Sequence, residues 1–300
     1  MFKRPWLYLL VVATFAVCIT VVKTTAQTAV SGTWTASLDN EQTRKIQLNL
    51  ERRTQRGSRS QMGQSYDLAD LQGLSSDQAS GSGPVKFSLV REAGRIDCEG
   101  NFQNGKGSGT FTFTPSSTFV SAMKSRGFDF EQDPGRNGEQ DLEERLFAAT
   151  TLNVTTALAD DLNSANFGKL QVEDLFKAAI FKVDSNFMRE MKASGFENLG
   201  MEELVKARIF KVDAEFARQV GQMGFEKEPF ESLVKMRIFK ITPEFITEVR
   251  NEGITNLTIE DAVKMKIFKI DSEFIREAKA DGVPLEVERL VQRKIGVARR

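Results

Sequence analysis

Nine basic residues stand at even spacing in the second half of this 300-residue chain. They are Lys206, Arg208 and Lys211, then Lys235, Arg237 and Lys240, then Lys264, Lys266 and Lys269, each trio 29 residues after the last. Stacked units would line these charges along one surface, a groove for an anionic polysaccharide, lipid headgroups or an acidic protein partner. The same residues fit a plainer role as a solvated face at helix C-termini, with Glu203, Glu231, Glu260 and Asp261 neutralising it. Carboxylates are the other candidate chemistry. Pairs such as Glu202-Glu203 and Asp160-Asp161 have the residue types of a carbohydrate-active acid pair. They fall, however, at repeat positions or helix starts, where acids complement the helix dipole.

The chain contains no His, which excludes Ser-His-Asp and Cys-His relays, His-ligated zinc and an HExxH peptidase site. No nucleophile has an evident base. The expectation is therefore a non-enzymatic protein with no catalytic, cofactor-binding or metal-ligating residue, whose candidate site is the basic row. With 41 Lys+Arg against 41 Asp+Glu there is no net basic field, which argues against a nucleic-acid partner. An unknown protein or an anionic cell-envelope component remains.

The N-terminus reads Met-Phe-Lys-Arg-Pro, then an apolar run of 17 residues from Trp6 to Val22, then small residues ending near Ala26. That is the layout of a secretory signal peptide over 1–26, which places the mature protein outside the cell or in the periplasm. The alternative is an uncleaved inner-membrane anchor over 6–22, since such a run lies at the short edge of what spans a bilayer. Val17 before Cys18 does not suit a lipoprotein site. Cleavage leaves Cys98 alone, so the mature chain forms no internal disulfide, and its alternation with Ile96 marks it as a buried strand residue.

Two periods divide the remainder. Over 27–115 apolar residues alternate with polar ones, as in Ile46, Leu48 and Leu50, and glycine-rich turns interrupt them. This predicts a small antiparallel β-domain, with a Ser/Gly/Gln-rich long loop over 54–84 that has room for a helical turn at its one apolar patch, Tyr66 to Leu74. The Gly105-Lys-Gly-Ser-Gly109 stretch reads as part of a hairpin turn and not a phosphate cradle.

Over 116–300 the period is helical and a 29-residue unit recurs. Ile180, Ile209, Ile238 and Ile267 are in register, as are Phe187, Phe216, Phe245 and Phe274, and Gly195, Gly224, Gly253 and Gly282. Irregular copies at either end, one carrying an insertion around 129–139, bring the count to about six units. Each unit predicts an α-hairpin. Its first helix starts at an N-cap (Asp184, Asp213, Thr242 or Asp271) and ends at the Gly. Its second helix turns Leu204, Val205 and Ile209, or Leu233, Val234 and Ile238, inward and ends at Ile-Phe-Lys. The Lys slot is Asn153 in an earlier copy and Gly296 in the last. Those three residue types share a helix-end position and no chemistry. The overall expectation is an α+β protein, a β-domain followed by a stack of such hairpins.

Three stretches also carry a resemblance: Gly83 to Gly94, Gly107 to Pro115, and Val234 to Ile246. In this order they are similar to the extracytoplasmic C-terminal region of BlaR-type antirepressor membrane metallopeptidases and to stand-alone secreted bacterial proteins sharing it. The resemblance implies an accessory or sensory module outside the cytoplasm. It does not imply peptidase activity, because neither the multi-span membrane domain nor HExxH is present.

Overall fold

The computed structural model of the protein describes residues 30–38, 44–53, 59–132 and 142–296. The expected signal or anchor segment, and the part of the expected insertion beyond Gln132, lie outside the described residues.

Period-two alternation places every second side chain on one face, and the described residues up to Pro115 fold accordingly into seven strands. They are β1 (Val30–Leu38), β2 (Lys45–Arg53), β3 (Arg59–Asp67), β4 (Leu71–Gln72), β5 (Ser82–Arg91), β6 (Gly94–Gln103) and β7 (Lys106–Pro115). All neighbours are antiparallel in one sheet of order β3-β2-β1-β7-β6-β5-β4. β3 and β4 occupy opposite edges, yet only the single 3-10 turn Leu68–Asp70 joins them. So short a link spans at most about 13 Å, so the sheet curls until its edges approach at that end. Arg91 of β5 pairs with Asp70 of the link at 3.0 Å.

Inside the curl lie Trp34, Leu48, Phe87, Phe102, Phe111 and Phe113. Trp34 meets Phe87 edge-on, with ring centres 5.2 Å apart. The facing pair Gly100 and Gly109 makes room for it, since a Cβ on Gly100 would fall 2.7 Å from the indole and nearer still to the next strand's backbone. Asn104 and Gly105 turn β6 into β7 with φ of +50° and +81°, the two-residue hairpin geometry that matches strand twist.

Residues 54–58 of the expected long loop lie outside the described residues, and over 59–84 the structure forms regular elements where the sequence predicts a loop with a helical turn; the turn is present at Leu68–Asp70. Most of that stretch is structured as β3, the 3-10 turn, β4 and a capped helix α1 (Ser76–Ser80), with β5 beginning inside it. β3 pairs with β2 from Arg59 to Asp67. Its sequence hides this, because it is an edge strand in which only Tyr66 is fully buried. Ser, Gln and Gly therefore occupy positions that would be apolar in a central strand.

Twelve helices follow among the described residues: α2 (Ser117–Lys124), α3 (Leu142–Thr151), α4 (Thr156–Ser164), α5 (Val172–Phe181), α6 (Ser185–Ala193), α7 (Met201–Phe210), α8 (Ala214–Gln222), α9 (Phe230–Ile238), α10 (Pro243–Asn251), α11 (Ile259–Ile267), α12 (Ser272–Ala280) and α13 (Val287–Lys294). The change of element after Pro115 is not a break in the core. Phe147 of α3 stacks on Phe111, with centres 5.5 Å apart, and meets Phe113 edge-on. Tyr66 Oη donates to the Thr151 carbonyl at 3.0 Å.

Beyond α3, alternate helices are neighbours. α5 packs on α7, α7 on α9, α9 on α11 and α11 on α13, while α4 packs on α6, α6 on α8 and α10 on α12. These helices have ten residues or fewer and depend on such packing to persist. Their ends are set locally. Asp184, Asp213, Thr242 and Asp271 accept from the backbone N–H three residues on, at 2.8, 2.8, 3.3 and 2.9 Å, each bond contributing about 1 kcal/mol. Gly195, Gly224, Gly253 and Gly282 all have positive φ. The following residues Phe196, Phe225, Ile254 and Val283 donate back five positions, closing the helix as a Schellman motif. Among the described residues no helix is long and apolar enough to cross a membrane.

Candidate functional site

The nine basic residues separate into three positions with three different jobs. Lys206, Lys235 and Lys264 each reach the next helix of their layer and pair with Glu231 (2.7 Å), Glu260 and Glu288. Lys177 does the same with Glu202 and extends this row one unit upstream, a member that reading the trios alone had missed. The hydrogen bond to Glu231 holds Lys206 above the ordinary lysine range, and Glu288 does so for Lys264. The acids expected to neutralise the row do so across helices as well as within them.

Arg208, Arg237 and Lys266 place their charged groups over aromatic rings of the preceding helix. Their charged groups sit 3.7, 3.6 and 3.8 Å from the ring centres of Phe187, Phe216 and Phe245. Burial pulls Lys266 below the ordinary lysine range, against the attraction of Glu248. Each such contact is a cation–π pair joining the two layers, and contributes about 0.5–2 kcal/mol depending on desolvation.

Lys211, Lys240 and Lys269 occupy the helix-end slot with φ of +57°, +52° and +53°, as do Lys182 at +58° and Asn153 at +54°. The residue after each donates to a carbonyl five positions back, for example Val212 to Ala207 at 2.8 Å. These lysines are exposed. Their backbone is fixed by the turn while the side chain remains free to meet a partner.

The second helices do not bury their isoleucines, and here the structure corrects the expected inward face. Ile180, Ile209, Ile238, Ile267 and Ile295 are between 48 and 53 % exposed. At about 100° per residue, the buried residues Met201, Leu204, Val205 and Ala207 of α7 centre on a face from which Ile209 points roughly 120° away. After the left-handed turn, Val212 closes the core instead. The following Phe210 is half-buried.

These five helices are successive neighbours in one layer, so their isoleucines recur at roughly the 8–10 Å spacing of packed helices. An exposed lysine stands two residues beyond each of Ile180, Ile209, Ile238 and Ile267. The result is a ridge of repeated apolar and basic side chains.

The carboxylate pairs are engaged separately. Asp160 takes a two-pronged bond from Arg126 at 2.8 and 3.0 Å. Asp161 accepts from the N–H and Oγ of Ser185 at 2.8 and 2.6 Å. Glu202 meets Lys177, and Glu203 accepts from the Gly200 N–H at the start of α7. No group of three His, Cys, Asp or Glu that could hold a metal ion occurs among the described residues. Cys98 is buried in β6, and burial together with Asp97 pushes its thiol up to about 12, away from reactivity. Comparison of the chain with protein-family models, with curated proteins and with solved structures finds no match.

Proposed function

We propose that this is a secreted or periplasmic, non-enzymatic interaction protein. Its helical half is read as an α-hairpin stack of about six 29-residue units acting as a scaffold for a protein or cell-envelope partner. The observation that carries this reading is the exposure of isoleucine at the same position of four successive second helices, with Ile295 exposed near the end of the fifth. Isolated exposed apolar residues are ordinary, whereas a repeated row is a binding feature.

Magnitudes limit what that row can do alone. Burying the exposed half of an Ile contributes about 1 kcal/mol, so five give roughly 5 kcal/mol. Association itself costs about 4–15 kcal/mol. The ridge therefore needs its lysines, or many units engaged at once, to hold a partner. Of the basic row, Lys211, Lys240 and Lys269, with Lys182, are the members proposed to take part; the other six are committed to ion pairs and ring contacts.

The test compares the wild-type protein with an Ile180→Ser, Ile209→Ser, Ile238→Ser, Ile267→Ser variant as bait in envelope extract. With helicity unchanged by circular dichroism, the variant is expected to lose whatever the wild type retains. Equal retention by both refutes the ridge. The apolar run 6–22 and the resemblance to antirepressor sensors support a second reading, a membrane-anchored sensory module. Cell fractionation with N-terminal sequencing of the mature protein separates the two, since an anchored protein sediments with membranes and keeps residues 6–22.

A further inference from the structure

Two edges end the sheet, and they are built differently. β5 is covered in part by β4, through Leu71 and Gln72, and carries Pro84 in the part left over. A short edge strand and a proline are both devices that block strand addition. β3 has neither. It pairs with β2 in one unbroken register from Arg59 to Asp67, with no bulge, no Pro and no Lys, and it has no other neighbour in the sheet.

The ladder shows which of its backbone groups are free. Leu68 N–H donates to the Arg44 carbonyl at 2.8 Å, which makes theirs a hydrogen-bonded pair, and the pairs alternate from there. Ser60, Met62, Gln64 and Tyr66 therefore exchange bonds with β2. The N–H and C=O groups of Arg59, Gln61, Gly63, Ser65 and Asp67 point the other way, and among the described residues none has a partner. All five residues are exposed. They form an open edge about 27 Å long.

This edge is complementary to itself. Set antiparallel to a second copy about Gly63, it brings Arg59 opposite Asp67, Gln61 opposite Ser65 and Gly63 opposite Gly63. Only outward-pointing groups then meet, so each free N–H finds a free C=O. Arg59 pairs with Glu51 within its own chain, and Asp67 faces Lys45. Across the joined sheet the charges thus alternate in sign, Glu51 and Arg59 of one copy followed by Asp67 and Lys45 of the other. Parallel pairing sets like charges against each other, which is unfavourable, and a slip by two residues parts Arg59 from Asp67.

We propose that β3 is a dimerisation edge, pairing antiparallel with β3 of a second copy about a two-fold axis at Gly63, so that two sheets become one. The edge shares no residue with the isoleucine ridge, and either can fail alone.

Sedimentation equilibrium of the purified protein from about 1 µM to 1 mM is expected to show a reversible monomer–dimer equilibrium. A contact of one strand per copy is at the small end of specific interfaces, so the dimer is expected in the upper part of that range. Arg59→Glu and Asp67→Lys each place like charges together at both ends, and each is expected to weaken the dimer about tenfold. Mixed in equal amounts, the two variants bring opposite charges together again at both ends and are expected to associate as the wild type does. Ser65→Pro removes an outward N–H and no bond to β2, and is expected to abolish the dimer. Gln61→Pro has the same expected effect should that variant not fold by circular dichroism. The proposal is overturned if the wild type stays monomeric to about 1 mM, if the proline variant dimerises as tightly as the wild type, or if the mixed charge variants associate no better than each does alone.

Discussion

The contact between Arg208 and Phe187 offers a measurement of what holds the two helix layers together. Phe187→Leu with Arg208→Ala rebuilds, between α6 and α7, the Leu158 and Ala179 arrangement found one unit upstream. Arg208 is partly buried with its charge 3.7 Å from the ring centre, so the pair belongs in the middle of the range for such contacts, about 1–1.5 kcal/mol. An opposing effect is also present: Arg208 Nε is buried without a hydrogen-bond partner. An unmet buried donor costs about 1–3 kcal/mol. Arg208→Ala removes that penalty along with the contact, and by itself is expected to change stability by less than about 1 kcal/mol.

Only the double-mutant cycle isolates the ring contact, because the Nε penalty is present in both arginine-containing members. Urea unfolding followed by circular dichroism supplies the four stabilities. Short helices packed in a row can unfold stepwise, so the cycle is closed only among variants sharing one m-value. A coupling energy of about 1 kcal/mol or more supports the cation–π assignment. A coupling below about 0.3 kcal/mol, the level at which independent sites add, would refute it and leave Arg208 as mere surface cover.

Lys240 at φ +52° tests the helix-end slot. Lys240→Gly relieves about 1 kcal/mol of backbone strain and loses a similar amount to unfolded-chain entropy, so its urea midpoint is expected to stay near wild type. Lys240→Val, β-branched at positive φ, is expected to lower that midpoint clearly, and equal midpoints would count against the slot. Removing the N-cap with Asp213→Ala is expected to cost about 1 kcal/mol and lower Tm by about 2–4 °C, with Asp213→Asn restoring most of the loss. Cys98 links stability to alkaline pH, since burial raises its thiol from 9.0 to about 12. A thiol whose folded pKa is raised contributes no change below pH 9. Between pH 9 and 12 the unfolded chain loses its proton first, and stability falls by up to about 1.4 kcal/mol per pH unit. Cys98→Ala is expected to show a shallower decline over that interval, and identical slopes for the two proteins would rule out this linkage.

What the amino-acid sequence determined by itself were the features set by neighbours a few positions apart. The caps Asp184, Asp213, Thr242 and Asp271, the helix-end slots shared by Asn153, Lys211 and Gly296, and the Asn104-Gly105 turn all depend on backbone geometry within about five residues and are legible in residue type, whereas the left-handed backbone of Lys211 is not. Tertiary structure alone decided which apolar side chains are covered. Ile209 and Val205 both carry the helical period, but burial depends on where the neighbouring helix lies, and that neighbour reaches Val205 and not Ile209. The same reason hid β3, whose polar residues become a strand only because β2 offers it hydrogen bonds. It also concealed the basic row's true division. Lys206, Arg208 and Lys211 read alike in one dimension, and only packing assigns the first to Glu231, the second to Phe187 and the third to solvent.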